Sequence, residues 1–402
     1  MVVRGKQAGR PGGCKAGSGE RSPTNAGILP PKAAWMRKAY RVFVDDTLFT
    51  PEGQRGVNRC FLEYSRALAE AFPGQVAVRT RRSAGPPGLR VIRPLWDGPL
   101  EGPIGARAAR LQDRLTGLQA AMLADAYYSP FYGHVRTAIP QVFSAYDMIY
   151  EKLPHYFAGS PDYAHEIGKK RRCFERARLI ICISQSTAND ILEAYPQLDP
   201  RRVVVNHLGV DDLFLESRAG GPAHRPYFLY VGHRSTYKNF LRLLRAYGRS
   251  GLASEFDLRV VAPVEAPFTR DELDAIGRYG LAGRVQMEAD LPDEMLAQRY
   301  GQAHAFVCPS EYEGFGLPLL EAMASGTLAL ASNTSSLPEV GGDVPLYFDP
   351  LSEDAIVEAL LGAAHMPAPE RRQRIEGGRA RAAGFTWQAS RTNFLRAFQT
   401  LL

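Results

Sequence analysis

Apolar runs of strand length alternate with amphipathic helical stretches along almost the whole chain, and they do so in two series. Such alternation is satisfied by parallel sheets with crossover helices and by little else, so it predicts an α/β architecture. In the first series strands are expected at 40–44, 75–81, 125–131, 141–147 and 179–184, with helices over 58–72, 107–123, 160–177 and 186–195. In the second, strands are expected at 227–231, 256–262, 284–287, 305–308 and 327–331, with helices over 238–249 and 270–279. A chain of 402 residues exceeds what one hydrophobic core usually holds, so each series is read as a domain. The boundary falls near 205–225.

The predicted organisation has four parts: a basic tail over 1–38, a first Rossmann-like domain over 39–210, a second over 225–384, and a terminal amphipathic helix over 385–402. The tail holds eight Lys or Arg against Glu20 alone, a balance of +7 that equals the charge of the whole chain. The remainder therefore carries as many acids as bases, which argues against a nucleic-acid-binding body. Rich in Gly, Pro, Ser and Lys/Arg, the tail reads as disordered. It suits a lipid-touching extension, a targeting segment or a mis-called start, with Met36 standing just before the first strand. No run of about 18 apolar residues exists to span a membrane, and the N-terminus has no apolar segment of signal-peptide type. Five scattered cysteines without a C-x-x-C pair fit a reducing compartment and exclude a disulfide framework. A cytoplasmic protein is expected.

The densest chemistry lies in Glu313-Gly-Phe-Gly-Leu-Pro-Leu-Leu-Glu321, inside the run 309–326. Pro318 suits a first helical turn and Gly326 a helix end. Gly314 and Gly316 let backbone approach a ligand without an intervening Cβ. A helix start offers free N–H groups and a positive dipole end to an anion. Two carboxylates flanking that turn add acceptors for hydroxyl groups. A ligand with both a diphosphate and sugar hydroxyls matches: a sugar nucleotide. Upstream, Gly232 precedes Arg234 and Lys238, two cations four residues apart after a strand, a pattern suited to pyrophosphate. No Asp-x-Asp pair is present to hold a divalent metal there, so neither metal nor cofactor is expected, and the leaving diphosphate would be neutralised by protein cations.

The run from Pro309 to Gly326 resembles the donor-binding segment of the retaining glycosyltransferases of family 4, whose fold is GT-B. Similarity extends over roughly 40–400. It includes Gly232 to Asn239, the segment Ser144-Ala-Tyr-Asp-Met-Ile-Tyr-Glu151, and the loop Gly53-Gln-Arg-Gly-Val-Asn-Arg59, where Gly56 and Arg59 match. Three positions depart from the family pattern: His233 stands for Arg, Tyr146 for a His near the reacting sugar, and Arg55 for the first glycine of a pair.

The resemblance implies two Rossmann-like domains facing a cleft, with the last helix crossing back to the first domain. It implies that Glu321 binds the ribose, that Glu313 binds the transferred sugar, and that Phe315, Gly316 and Leu317 offer backbone N–H groups beside Gly314. Lys238 and Arg234 would neutralise the diphosphate, Asp147 would contribute at the reacting sugar, and Gly56 would face the pyrophosphate. The implied reaction is retaining transfer of a hexose, first mannose from GDP-mannose, to a glycan or lipid-linked acceptor in surface-polysaccharide synthesis, with peripheral contact to the inner membrane face. A UDP-sugar enzyme and an inactive nucleotide-sugar-binding relative are the alternatives. Ser184 or Ser186, and Ser335 or Ser336, read as helix caps. The loop 45–56 reads as functional because of its length, and 83–106 as irregular.

Overall fold

The structure, a computed structural model, describes residues 41–45, 55–80, 86, 88–94, 105–133, 135–217, 224–263 and 266–401. The expected tail at 1–38 and residues 46–54 of the expected functional loop lie outside the described residues.

Two parallel sheets form the frame. The first contains β1 (Val42–Asp45), β2 (Val76–Arg79), β3 (Arg90–Ile92), β4 (Ala126–Ser129), β5 (Gln141–Ala145), β6 (Leu179–Cys182) and β7 (Val203–Val205), in the order β3-β2-β1-β4-β5-β6-β7. The second contains β8 (Tyr227–Val231), β9 (Asp257–Ala262), β10 (Val285–Ala289), β11 (Ala305–Cys308), β12 (Leu328–Ser332) and β13 (Leu346–Phe348), in the order β10-β9-β8-β11-β12-β13. Every described pairing in both sheets is parallel. Both orders reverse beside their first strand. In open α/β sheets this switch point is where the carboxyl ends of two diverging strands leave a crevice for ligand.

The helices of the first half are α1 (Arg55–Ala71), α2 (Gly105–Leu123), α3 (Ile149–Lys152), α4 (Pro154–Phe157), α5 (Tyr163–Arg176), α6 (Gln185–Ala194) and α7 (Asp212–Glu216). Those of the second are α8 (Phe240–Ser250), α9 (Arg270–Arg278), α10 (Asp293–Gln302), α11 (Leu317–Ala324), α12 (Leu337–Gly341), α13 (Glu353–Ala364), α14 (Ala368–Ala382) and α15 (Trp387–Gln399). The central strands are buried on both faces, which is why they read as continuous apolar runs.

Three local differences from the sequence expectation have physical causes. The stretch 83–106 contains β3, a short and largely exposed edge strand without the apolar alternation that announces a buried one. The expected helix over 238–249 begins only at Phe240. Lys238 closes a 3-10 turn and Asn239 takes a left-handed backbone (φ 63), which no α-helix continues through. Val203–Val205, placed at the boundary between the series, completes the first sheet.

The C-terminal helix crosses back to the first sheet. Val210 N–H donates to the Phe385 carbonyl at 2.9 Å, and a Cβ on Gly209 would stand 2.2 Å from the Trp387 nitrogen. From there α15 lays Phe394 against Tyr64 of α1, with ring centroids 4.3 Å apart and stacked, and edge-on to Tyr128 of β4 at 5.3 Å. Asn206 donates to the Tyr64 hydroxyl at 2.7 Å and to the Ser390 carbonyl at 3.1 Å. Phe394→Ala removes the fully buried ring at this junction. It is expected to lower unfolding stability by about 3–5 kcal/mol, read from the midpoint of urea denaturation. An unchanged midpoint would refute the crossing as a stabilising element.

Candidate donor-nucleotide site

The two strands that flank the switch point of the second sheet, β8 and β11, deliver the two chemically active loops. β8 leaves through Gly232, whose φ of +147° suits glycine. The chain then makes the 3-10 turn over Thr236–Lys238. Buried Asn239 fixes that turn by donating to the Pro309 carbonyl at 2.9 Å and the Pro350 carbonyl at 2.7 Å, binding the β8 loop to the β11 loop.

Lys238 Nζ stands 2.8 Å from each oxygen of Glu313. Ser310 Oγ donates to Glu313 Oε1 at 2.7 Å. Only a fifth of the lysine and an eighth of the glutamate side chain are exposed, so the pair sits in a medium where charge interactions are strong. Burial works against the ammonium charge, but the Glu313 carboxylate outweighs it and holds the Lys238 pKa above the ordinary lysine range. The backbone of Glu313 is also held: its N–H donates to Ser335 Oγ at 2.9 Å, and Ser336 Oγ donates to its carbonyl at 2.8 Å. The expectation that these serines cap a helix is therefore corrected. Ser336 precedes α12 with a helical backbone (φ −81, ψ −8) and makes no side-chain cap bond, so its hydroxyl serves Glu313 instead. Ser184 does cap α6, accepting from Thr187 N–H at 3.0 Å.

Glu321 lies on α11, which follows the left-handed Gly316 (φ +97°), carries Pro318 in its first turn and is followed by left-handed Gly326 (φ +75°). Burial raises its carboxyl to about 7; the Arg59 charge and the Tyr300 hydroxyl, donating at 3.2 Å, pull the other way, and Asp293 and Asp211 push up again. Arg59 reaches this group from α1 of the first sheet, ion-paired with Asp211 and, at 2.5 Å, with Asp293. Asp293, at the start of α10, and Tyr300, in its last turn, carried no sequence signal beyond an ordinary acidic helix start. Nothing local marks a residue that matters through its neighbour on another helix.

The first sheet closes against this loop. A Cβ on Gly314 would sit 1.8 Å from the Tyr146 carbonyl oxygen, and one on Gly56 would sit 2.9 Å from Leu317 Cδ1. Thr187 Oγ1 lies within 3.4 Å of the Tyr146 carbonyl and 3.3 Å of the Gly314 carbonyl. Tyr312 donates to Asp190 at 2.7 Å and accepts from Met148 N–H at 3.1 Å. Glu339 of α12 accepts from Gln185 and Ser186 N–H, at 2.7 and 3.1 Å, and meets His207 Nε2 at 2.6 Å. A carboxylate of the second sheet thus sits on the start of a first-sheet helix. Phe315 is buried in this closure, its ring 6.0 Å from those of His207 and Phe385.

Two candidate residues have other partners. The Arg234 guanidinium is ion-paired with Glu272 and donates to the Ala266 and Pro267 carbonyls at 2.7 and 2.8 Å, with both charged side chains almost fully buried. The cause is the Thr269–Glu272 capping box of α9, whose buried carboxylate demands a cation. Arg234 therefore belongs to the α9 cap and does not share Glu313 with Lys238. Asp147 accepts from Lys170 at 3.0 Å and from Ile149 N–H at 3.2 Å, at the start of α3. The Tyr146 ring is buried, and its hydroxyl lies beside the Cys60 thiol without a well-formed hydrogen bond among the described residues. It points into the first-sheet core.

Comparison with known proteins agrees in both halves. The family described as Glycosyltransferase Family 4 matches residues 54–212, and that described as Glycosyl transferases group 1 matches residues 216–381. The chain is 30% identical over 236 residues to the O-antigen chain mannosyltransferase B of Escherichia coli, covering 56% of this chain and 62% of that one. It is 32% identical over 214 residues to the MMP alpha-(1->4)-mannosyltransferase of Mycolicibacterium hassiacum, covering 52% and 51%. The chain thus spans half to three-fifths of the length of these two relatives. Among solved structures, the sucrose-phosphate synthase of Thermosynechococcus elongatus superposes with a TM-score of 0.69 at 20% identity, over 90% of this chain and 99% of that one, a likeness of fold.

Because the folded Glu321 pKa lies above the ordinary 4.5, the folded protein holds a proton that the unfolded chain releases. The associated stability is full below about 4.5 and is lost as pH rises toward 7. Glu321→Gln, neutral throughout, is expected to gain stability relative to the parent across that window and to hold a constant difference above it. Parallel melting curves of the two proteins from pH 4.5 to 8 check this, and a difference independent of pH would refute it.

Proposed function

The chain belongs to glycosyltransferase family 4 and has the GT-B fold, and from that premise we propose that it transfers mannose from GDP-mannose to a glycan or lipid-linked acceptor in surface-polysaccharide synthesis. The activities of the two mannosyltransferase relatives support this choice of sugar. The observation that carries the reading is the Lys238–Glu313 pair at the switch point, next to the start of α11. An ammonium has three donors. Glu313 takes two of them, and the third serves a phosphate oxygen of the donor.

In this reading the diphosphate lies between Lys238 and the N–H groups of Phe315, Gly316 and Leu317 at the start of α11, where the helix dipole favours an anion. Glu313 accepts hydroxyls of the transferred sugar, and Glu321, once ionised, accepts the ribose hydroxyls. As the bond from C1 to the leaving phosphate breaks, negative charge grows on that phosphate, and Lys238 stabilises it without a metal. The acceptor hydroxyl attacks from the same face and passes its proton to the departing phosphate oxygen, which gives retention. Arg234 has no part in this, because freeing it would leave Glu272 as an unpaired buried charge. Gly56 and Gly314 bring the first sheet down on the donor, and Asp147, held by Lys170, contributes at the reacting sugar.

Two experiments test the proposal. In a metal-free thermal-shift panel, GDP-mannose and GDP are expected to raise the melting temperature and Glu321→Ala to abolish the rise. A response to UDP-sugars alone would overturn the donor assignment. Lys238→Ala is expected to lower kcat for GDP release by about 10²–10³-fold, with EDTA leaving the parent rate unchanged. Donor binding without turnover on any glycan or lipid-linked acceptor would overturn the transferase reading.

A further inference from the structure

A cavity of about 410 Å³ lies between the end of α11 and one side of α14. That volume falls within the range of small-molecule sites, about 300–1,000 Å³. None of its lining residues belongs to the loops after β8 and β11 that form the donor site. Ser325 and Gly326 supply the α11 wall. Arg371, Ile375 and Arg379 recur every four residues along α14, with Arg372 and Glu376 beside them, so one side of that helix supplies the rest. α14 is seated on α11 through Gly378, where a Cβ would come within 3.4 Å of Met323 Cβ. Left-handed Gly326 (φ +75°) makes room for the Arg379 side chain, since a Cβ there would stand 2.7 Å from Arg379 Nε.

The charges around this cavity lack partners. Three guanidinium groups and one carboxylate, that of exposed Glu376, border it, and none of the four enters an ion pair among the described residues. Arg371 Nη2 donates to the His304 carbonyl, and Arg379 Nη2 donates to the Ser217 carbonyl at 2.6 Å, so each meets a neutral acceptor. Arg371 Nη1, Arg379 Nε and Ser325 Oγ are shielded from water and have no hydrogen-bond partner among the described residues. Burial lowers the Arg371 pKa, and no carboxylate works against it. The end of α11 does not account for these cations. Its last carbonyls are taken by backbone, with Gly326 N–H donating to Met323 at 3.1 Å and Thr327 N–H to Ala322 at 3.0 Å. A half-buried cation without an anion is unfavourable. Arg234 and Lys238 find their anions within the chain; the arginines of α14 leave that part to a ligand.

Guanidinium forks match the oxygens of a phosphate. Glu376 would oppose a bare anion, but a carboxylate accepts hydroxyl donors. Ile375 and Ala368 add an apolar wall for carbon. A small molecule that carries a phosphate, several hydroxyls and a compact carbon frame satisfies all three, and a hexose phosphate is such a molecule. We propose that this cavity binds a hexose phosphate, with Arg371, Arg372 and Arg379 holding the phosphate and Glu376 accepting sugar hydroxyls. The cavity is separate from the donor site, so this proposal does not depend on the donor reading.

The test is isothermal titration calorimetry of the full chain with glucose 6-phosphate, inorganic phosphate and unphosphorylated glucose. Glucose 6-phosphate is expected to bind more tightly than inorganic phosphate, and glucose not to bind. Arg371→Ala and Arg372→Ala are each expected to weaken that binding by about tenfold or more. Arg372 is exposed and makes no hydrogen bond or ion pair among the described residues, so its variant is expected to keep the parent melting temperature and to separate loss of the site from loss of the fold. Glu376→Gln is expected to weaken binding of glucose 6-phosphate but not of inorganic phosphate. Lys238→Ala, which alters the donor site, is expected to leave glucose 6-phosphate binding unchanged. Absence of that binding, its abolition by Lys238→Ala, or its survival in both arginine variants would overturn the proposal. Equal affinity for inorganic phosphate would overturn it as well, leaving a site for simple anions.

Discussion

Gly314 lies so close to the Tyr146 carbonyl that a Cβ could not be accommodated between them. The two sheets meet through this contact, and the arrangement of the candidate site follows from it. It brings the loop after β5 onto the loop after β11, so that Glu313 and Lys238 face the first sheet. Thr187, Tyr312 and Glu339 then connect the halves by hydrogen bonds whose geometry exists only at that separation. A side chain at position 314 would force the halves apart or displace the loop that carries Glu313.

Charge in the cleft obeys a second rule, that buried ions are paired. Lys238 with Glu313, Arg59 with Asp293 and Asp211, and Arg234 with Glu272 each answer a charge that burial would otherwise penalise. Glu321 is the exception. Burial pushes its carboxyl toward neutrality, and the Arg59 charge that opposes this is already shared between two aspartates. A group held in this way responds to a ligand that supplies hydroxyl donors, because those donors favour the ionised form. Groups whose partners are complete, such as Arg234, act as framework.

Much of the frame was legible before the structure. Repeated βα alternation implied parallel sheets, since two-sided burial makes each central strand a continuous apolar run. The edge strand β3 was not legible, because a half-exposed strand of three residues has neither run nor alternation. The true start of α8 was also hidden. The left-handed turn at Asn239 exists because its amide bonds carbonyls 70 and 111 residues away, which no local pattern encodes.

The same division runs through the site. From its own residues, the sequence determined that glycines flank a helix start, that Glu313 and Glu321 bracket it, and that a lysine follows the neighbouring strand; backbone permissiveness, helix polarity and carboxylate chemistry are local properties. Only the tertiary structure decided which cation meets which anion. Arg234 and Lys238 look equivalent four residues apart, yet one is claimed by the capping box of α9 and the other by Glu313. Arg59 becomes a neighbour of Glu321 only when α1 is laid against α10 and α11, and Tyr146 turns its hydroxyl into the first-sheet core. Electrostatic partnership depends on distance and burial, and for residues far apart in the chain both are set by packing.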